Sequence, residues 1–175
     1  MINKYNEACQ LYDEQNYEKA YHLFYNLAKN GDIDSQKNIA NMLLHGLGTK
    51  KDEEAAYLWY KQIADAGDSK SQHAIANCYI HGSYGFPINY TLAVEYLKKA
   101  SKDNYIPAKY DLAIMYFNGQ GVAKDKNKAR ELLEQNAKNG HKKSMKLLAL
   151  YYMRGEFGFL KIFQCFKYLK MMTAN

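Results

Sequence analysis

The feature that most constrains this chain is a period. Gly46, Gly82, Gly119 and Gly155 follow one another in steps of 36 or 37 residues. Leu43, Tyr79, Tyr116 and Tyr152 each stand three residues before those glycines. Ile39, Ile75, Leu112 and Leu148 form a further column, and Ala40, Ala76, Ala113 and Ala149 another. Ser35, Ser71, Ala108 and Ser144 open each unit. A fixed period of this length marks a stack of like units, each of which buries its apolar face only against its neighbours. Such arrays present extended surfaces, so the period points to binding before any motif is considered.

The content of one unit predicts its shape. Ala108, Leu112, Ala113 and Tyr116 recur at spacings of three to four, which is one face of an amphipathic helix. Asn118-Gly119-Gln120-Gly121-Val122 then releases the backbone from helical geometry. Asp125 is placed to cap a second helix carrying Ala129, Leu132, Leu133, Asn136 and Ala137, and Asn139-Gly140 ends it. Asp52 and Asn89 open equivalent helices. The small column Ala56, Ala93, Ala129, Cys165 permits close helix crossing, and the large column Trp59, Tyr96, Leu132, Tyr168 fills the space toward the next unit. The second unit has one extra loop residue, in Gly82-Ser83-Tyr84-Gly85-Phe86.

These residues carry a resemblance to the Sel1-like repeat, a relative of the tetratricopeptide repeat. Leu112, Ala113, Tyr116, Gly119, Gly121, Val122, Asp125, Ala129, Ala137 and Gly140 match its pattern, as do Gly46, Gly48, Asp52, Ala56, Trp59, Ala64 and Gly67. Departures are alanine for the first-helix glycine in every unit, Leu43 for tyrosine, and Gly155-Glu156-Phe157-Gly158 in the last unit. The resemblance implies an all-α, right-handed superhelical solenoid of helix-turn-helix repeats. On this reading residues 1–175 form a single solenoid domain. Residues 1–34 are a tetratricopeptide-like N-terminal cap, since Ala8, Leu11, Tyr17, Ala20, Phe24, Ala28 and Gly31 lack the glycine-rich loop. Residues 35–70, 71–107 and 108–143 are Sel1-like repeats, and 144–175 a divergent fourth.

The resemblance implies that first helices line a concave groove. The positions facing it are Lys37, Asn41, Leu44 and His45, then His73, Asn77, Ile80 and His81. They continue as Tyr110, Ile114, Phe117 and Asn118, then Lys146, Leu150, Met153 and Arg154. The N-terminal half is polar; the C-terminal half is apolar and aromatic. A peptide would set a carboxylate or backbone against Lys37, Asn41 and Asn77, and apolar side chains against Tyr110, Ile114 and Phe117. The last segment is apolar over more than one face. A repeat-facing stripe of Leu160, Cys165, Tyr168, Leu169 and Met172 leaves Phe159, Ile162, Phe163 and Phe166 in excess, as a cap, a homodimer surface or a partner surface.

Other functions lack their residues. No nucleophile motif, phosphate loop or metal helix motif occurs, so neither a catalytic residue nor a cofactor is assigned. Gly119-x-Gly121 follows a helix rather than a strand, which removes the nucleotide-binding context. His45 and His81 share a column, but zinc needs three or four ligands, and no metal is assigned. The net charge of +6 is dispersed, so nucleic acid is not the expected partner; that reading would need Lys138, His141, Lys142, Lys143 and Lys146 on one face. Cys9, Cys78 and Cys165 form no close pair, as expected for free thiols in a reducing compartment. With no apolar stretch of signal-peptide length and no membrane span, a cytoplasmic protein is expected, with delivery into a host cell left open. The expected function is a non-catalytic scaffold or adaptor that binds a protein or peptide. The alternative is a bacterial immunity or host-directed protein that acts by binding a toxin or host protein.

Overall fold

The structure is a computed structural model that describes residues 4–158 and 163–173. Among these residues it contains ten α-helices and no strand. The chain divides into two compact units, residues 1–87 and 88–175. The first holds α1 (Lys4–Asp13), α2 (Tyr17–Lys29), α3 (Ile33–His45), α4 (Glu53–Asp65) and α5 (Ser69–His81). The second holds α6 (Tyr90–Lys102), α7 (Ile106–Asn118), α8 (Lys126–Lys138), α9 (Lys142–Met153) and α10 (Gln164–Thr173). Within each unit every helix packs on the one before it and the one after it.

The repeating columns are the packing columns. Ile39, Ile75, Leu112 and Leu148 are buried, and so are Ala40, Ala76, Ala113 and Ala149. The small column Ala56, Ala93, Ala129 and Cys165 is likewise buried, which lets successive helices cross closely. In the first unit Phe24, Ile39, Met42 and Leu43 build the core around Ala8, Ala20, Ala28 and Ala56, with Trp59 and Tyr5 packed against it. Fully burying each of the large apolar side chains is worth roughly 1.5–3 kcal/mol.

Side-chain caps start five of the ten described helices. Asp52 accepts from the Ala55 amide at 2.9 Å, Asn89 from Leu92 at 3.0 Å and Asp125 from Lys128 at 2.9 Å. The first helices of the first unit are capped as well, by Asp32 and Asp68, which accept from the Ser35 and Ser71 amides at 2.8 Å. Tyr105 and His141 hold this place in the second unit and make no such cap. A buried column follows the caps. Gln36 and Gln72 donate from Nε2 to the Ala28 and Ala64 carbonyls at 3.2 and 3.1 Å, satisfying the end of the preceding helix. In the next unit that place is Lys109, also buried, whose ammonium donates to Asn104 Oδ1 at 2.7 Å and Gln135 Oε1 at 3.2 Å.

The loops explain the glycine rungs. Gly46, Gly82 and Gly119 end α3, α5 and α7 in the left-handed conformation. The second glycine of the motif has a stricter reason. A Cβ on Gly48 would overlap the backbone of Tyr17, the first residue of α2, and one on Gly121 would overlap the backbone of Tyr90, the first residue of α6. Each loop therefore lies directly on the start of the second helix of the repeat before it. The longer loop differs. Tyr84 adopts φ 55°, unusual for a tyrosine, and its ring stacks on Tyr57 with centroids 3.9 Å apart. Beside it, a Cβ on Gly85 would come nearest to the Glu54 side chain, at 3.6 Å.

Gly121→Ala is expected to cost roughly 3–5 kcal/mol, from left-handed strain plus a backbone overlap. Gly140→Ala, where a Cβ meets open space at φ 80°, is expected to cost about 1–2 kcal/mol. Urea denaturation of the two variants compares them directly. Equal losses would show that the loop does not press on Tyr90.

Candidate functional site

In the first unit the predicted groove positions lie on α3 and α5. Lys37 and Leu44 line a depression of about 390 Å³ together with Tyr57, Tyr60, Asp68 and Ala74. The Lys37 charge is shared, with its ammonium 3.3 Å from Asp68 and 4.0 Å from Asp34. Burial raises the Asp68 carboxyl, but hydrogen bonds from Ser71 and Lys37 outweigh that and hold it below the ordinary carboxylate range. An incoming carboxylate would therefore compete with Asp68 for Lys37. Asn41 and Asn77 are half-buried, and Asn77 Nδ2 lies 3.4 Å from His73 Nε2. His45 and His81 stand exposed at the ends of their helices. Among the described residues no three His, Cys, Asp or Glu side chains are grouped so as to hold a metal.

In the second unit Tyr110, Lys146 and Leu150 line a shallow depression of about 220 Å³ with Lys143 and Leu147. The His141 ring meets Tyr110 edge-on at 5.6 Å. Ile114 is half-buried, and Met153 and Arg154 are exposed. Phe117 is engaged rather than open. It stacks on Tyr151 at 3.9 Å, Phe157 meets both rings edge-on, and the Lys126 ammonium lies 5.5 Å from its centroid. Lys126 also binds Glu156 at 2.6 Å. The basic residues do not share one lining: Lys143 and Lys146 flank the Tyr110 depression, whereas Lys138 lines another with Arg130 and Lys167.

That other depression, of about 380 Å³, is lined by α8 and α10, with Glu134 and Tyr152 in its wall. The Tyr152 hydroxyl donates to Glu134 at 2.9 Å, and Tyr168 stacks on Tyr152 at 5.9 Å. Burial, and then the Glu134 charge, push the Tyr168 phenol up to about 12. Of the predicted stripe on α10, Cys165 and Tyr168 are buried and Met172 is half-buried, but Leu169 is 40% exposed. Phe163 is 77% exposed and Phe166 64%. Phe159, Ile162 and Leu160 lie outside the described residues. The three cysteines are free thiols, and burial raises Cys78 to about 11.

A larger cavity, about 930 Å³, involves none of the predicted site residues. Tyr21 and Tyr25 of α2, Trp59 of α4 and Tyr84 of the long loop supply its aromatic walls. The segment Thr49–Ala55 supplies a charged rim. A signal was present in the sequence: Tyr21 and Tyr25 are four apart, on one face of α2. Reading Trp59 only as packing between repeats concealed it.

Comparison with known proteins agrees with this architecture. The Sel1 repeat family model matches residues 8–32, 33–68, 69–105, 106–141 and 142–174, so the match includes the N-terminal unit. The structure resembles the crystal structure of a Sel1 repeat protein from Oxalobacter formigenes, with a TM-score of 0.80 and 23% identity over 99% of this chain and 69% of that one. It also resembles a protective antigen present in uropathogenic Escherichia coli strains, which displays an SLR fold. There the TM-score is 0.79 and the identity 22%, over 90% of this chain and 34% of the other. The chain thus spans about a third of that antigen's length. No match is found among curated protein sequences. No helix among the described residues is long and apolar enough to cross a membrane.

The Tyr168 phenol sets an alkaline limit. Its folded value lies above the ordinary value near 10, so the stability it contributes is complete below about pH 10 and is lost as pH rises toward about 12. Denaturation midpoints measured across this range are expected to fall, and to fall less steeply in Tyr168→Phe. An identical slope in the variant would show that Tyr168 does not carry the effect.

Proposed function

The chain belongs to the Sel1 repeat family, and we propose that it works as a scaffold that binds a polypeptide segment along its first helices. Sel1 repeats generally mediate protein–protein interaction and are generally non-catalytic. One observation carries the finer reading. The isoleucine/leucine and alanine columns that repeat along the first helices are buried, whereas the columns of Lys37 and Asn41, which vary from repeat to repeat, reach the surface, and Lys37 in one unit and Tyr110, Lys146 and Leu150 in the other line depressions. Variation at exposed positions of an otherwise regular array is what a partner-specific surface requires. The residues in question are Lys37, Asn41, His73 and Asn77 in the first unit, and Tyr110, Lys146 and Leu150 in the second. The ligand supported best carries carboxylates and apolar side chains, because Lys143 and Lys146 flank Tyr110, Leu147 and Leu150.

Affinity capture from the native cell, repeated with two variants, tests this. Tyr110→Ala with Lys146→Glu, and Asn41→Ala with Asn77→Ala, are each expected to weaken the captured partner about tenfold or more, as for hot-spot residues. Unchanged recovery with both variants would remove the first-helix surface from consideration.

A second contact is favoured by the exposure of Phe163 and Phe166 on α10. Two exposed phenylalanines beside a half-exposed Leu169 suit self-association. Sedimentation equilibrium is expected to show a dimer that Phe163→Glu converts to monomer. A wild-type chain that stays monomeric at about 100 μM, well above typical dissociation constants, would overturn this second reading.

A further inference from the structure

The cavity between α2, α4 and the long loop has the features of a cation site. Tyr21 and Tyr25 stack at 5.9 Å, and Trp59 meets Tyr25 at 6.2 Å with the ring planes 81° apart. Two aromatic walls therefore stand nearly at right angles. Tyr84, held by its stack on Tyr57, closes a further side. Aromatic faces attract ammonium and guanidinium groups through the ring quadrupole. The chain itself shows this preference at Tyr25, whose ring is already engaged by Tyr21 and by the Lys29 ammonium, 5.1 Å from its centre, which leaves Trp59 and Tyr84 for an incoming cation.

The charge on the rim agrees. Asp52, Glu53 and Glu54 stand against Lys50 and Lys51, so the lining carries one net negative charge in a protein whose total is +6. Two of those carboxylates are already engaged. Asp52 accepts from the Ala55 amide, and Glu53 binds Lys51 at 2.6 Å. Glu54 lies beside Gly85, in the same loop as Tyr84, and its carboxylate remains for an incoming cation. The volume, about 930 Å³, far exceeds one ammonium group and suits a short stretch of chain. Among cations, a guanidinium alone combines stacking on aromatic faces with two-point binding of a carboxylate.

We infer that this cavity receives an arginine-bearing segment of a partner polypeptide, with the guanidinium against Trp59 and Tyr84 and paired with Glu54. The inference does not rest on the first-helix reading: the two linings share no residue, and Tyr57 touches both, lining the Lys37 depression and stacking on Tyr84.

Trp59 is the single tryptophan of the chain, so its fluorescence reports on this cavity directly. The full chain is titrated with the peptide acetyl-Gly-Arg-Gly-Arg-Gly-amide, with the same peptide carrying citrulline (the neutral isostere of arginine), and with choline. The arginine peptide is expected to give a saturable change, and the citrulline peptide to bind about tenfold or more weakly. Glu54→Gln is expected to weaken the arginine peptide severalfold, as is Tyr84→Ala. Asn41→Ala with Asn77→Ala, on the first helices, is expected to leave it unchanged. Equal binding of the citrulline peptide, indifference to Glu54→Gln, or no saturation by about 5 mM would overturn the inference. Choline binding as tightly as the peptide would reassign the cavity to a free ammonium compound. Loss of binding in the first-helix variant would place the peptide on that surface instead.

Discussion

At two of the glycine loops, contact with the first residue of an earlier second helix sets the spacing of the repeats. At Gly48 over Tyr17, and at Gly121 over Tyr90, backbone lies on backbone with no room for a side chain. That approach brings the first helix of one repeat close to the second helix of the repeat before it. The buried alanine columns then become necessary, because larger residues would hold the helices apart. The caps at Asp52 and Asp125 follow from the same geometry, since each loop must turn directly into a new helix. Where the loop lengthens at Gly82–Phe86, the backbone contact is absent and a Tyr57–Tyr84 stack stands in its place.

Much of this was legible in the residues. The glycine, alanine and isoleucine columns carry packing information, and packing is what a period records. Asp52, Asn89 and Asp125 announce themselves by standing just ahead of an apolar helical stretch. Asp32 and Asp68 are harder to read, because the repeating column lies three residues later, at Ser35 and Ser71, whose amides they cap. The Gln36, Gln72, Lys109 column was illegible for a different reason. A glutamine in a helix reads as surface, and only the structure shows the carbonyls of the previous helix within its reach.

The surface was legible only as positions. Register placed Lys37 and Phe117 among the outward residues but could not say what neighbours would do with them. Lys37 gives part of its charge to Asp68, and Phe117 is covered by Tyr151 and Phe157. All three partners sit about one repeat further along, beyond the reach of any local pattern. The aromatic cavity was hidden in the same way. Its walls come from α2, α4 and a loop that follows α5, and each wall viewed alone looks like ordinary packing.

The means by which first helices begin has its own consequence. α3 and α5 start on an aspartate that ties down a free amide, whereas α7 and α9 start on Tyr105 and His141 without one. Each missing cap is worth about 1 kcal/mol. In an array where each hairpin touches only its neighbours, such losses stay local and are not averaged over the molecule. At α9 the deficit has further company: burial and then Lys143 lower the His141 imidazole pKa, so acidification adds charge where the helix start already favours anions. The second unit therefore has a grain. Its first helices are expected to open from their leading ends ahead of the core beneath them.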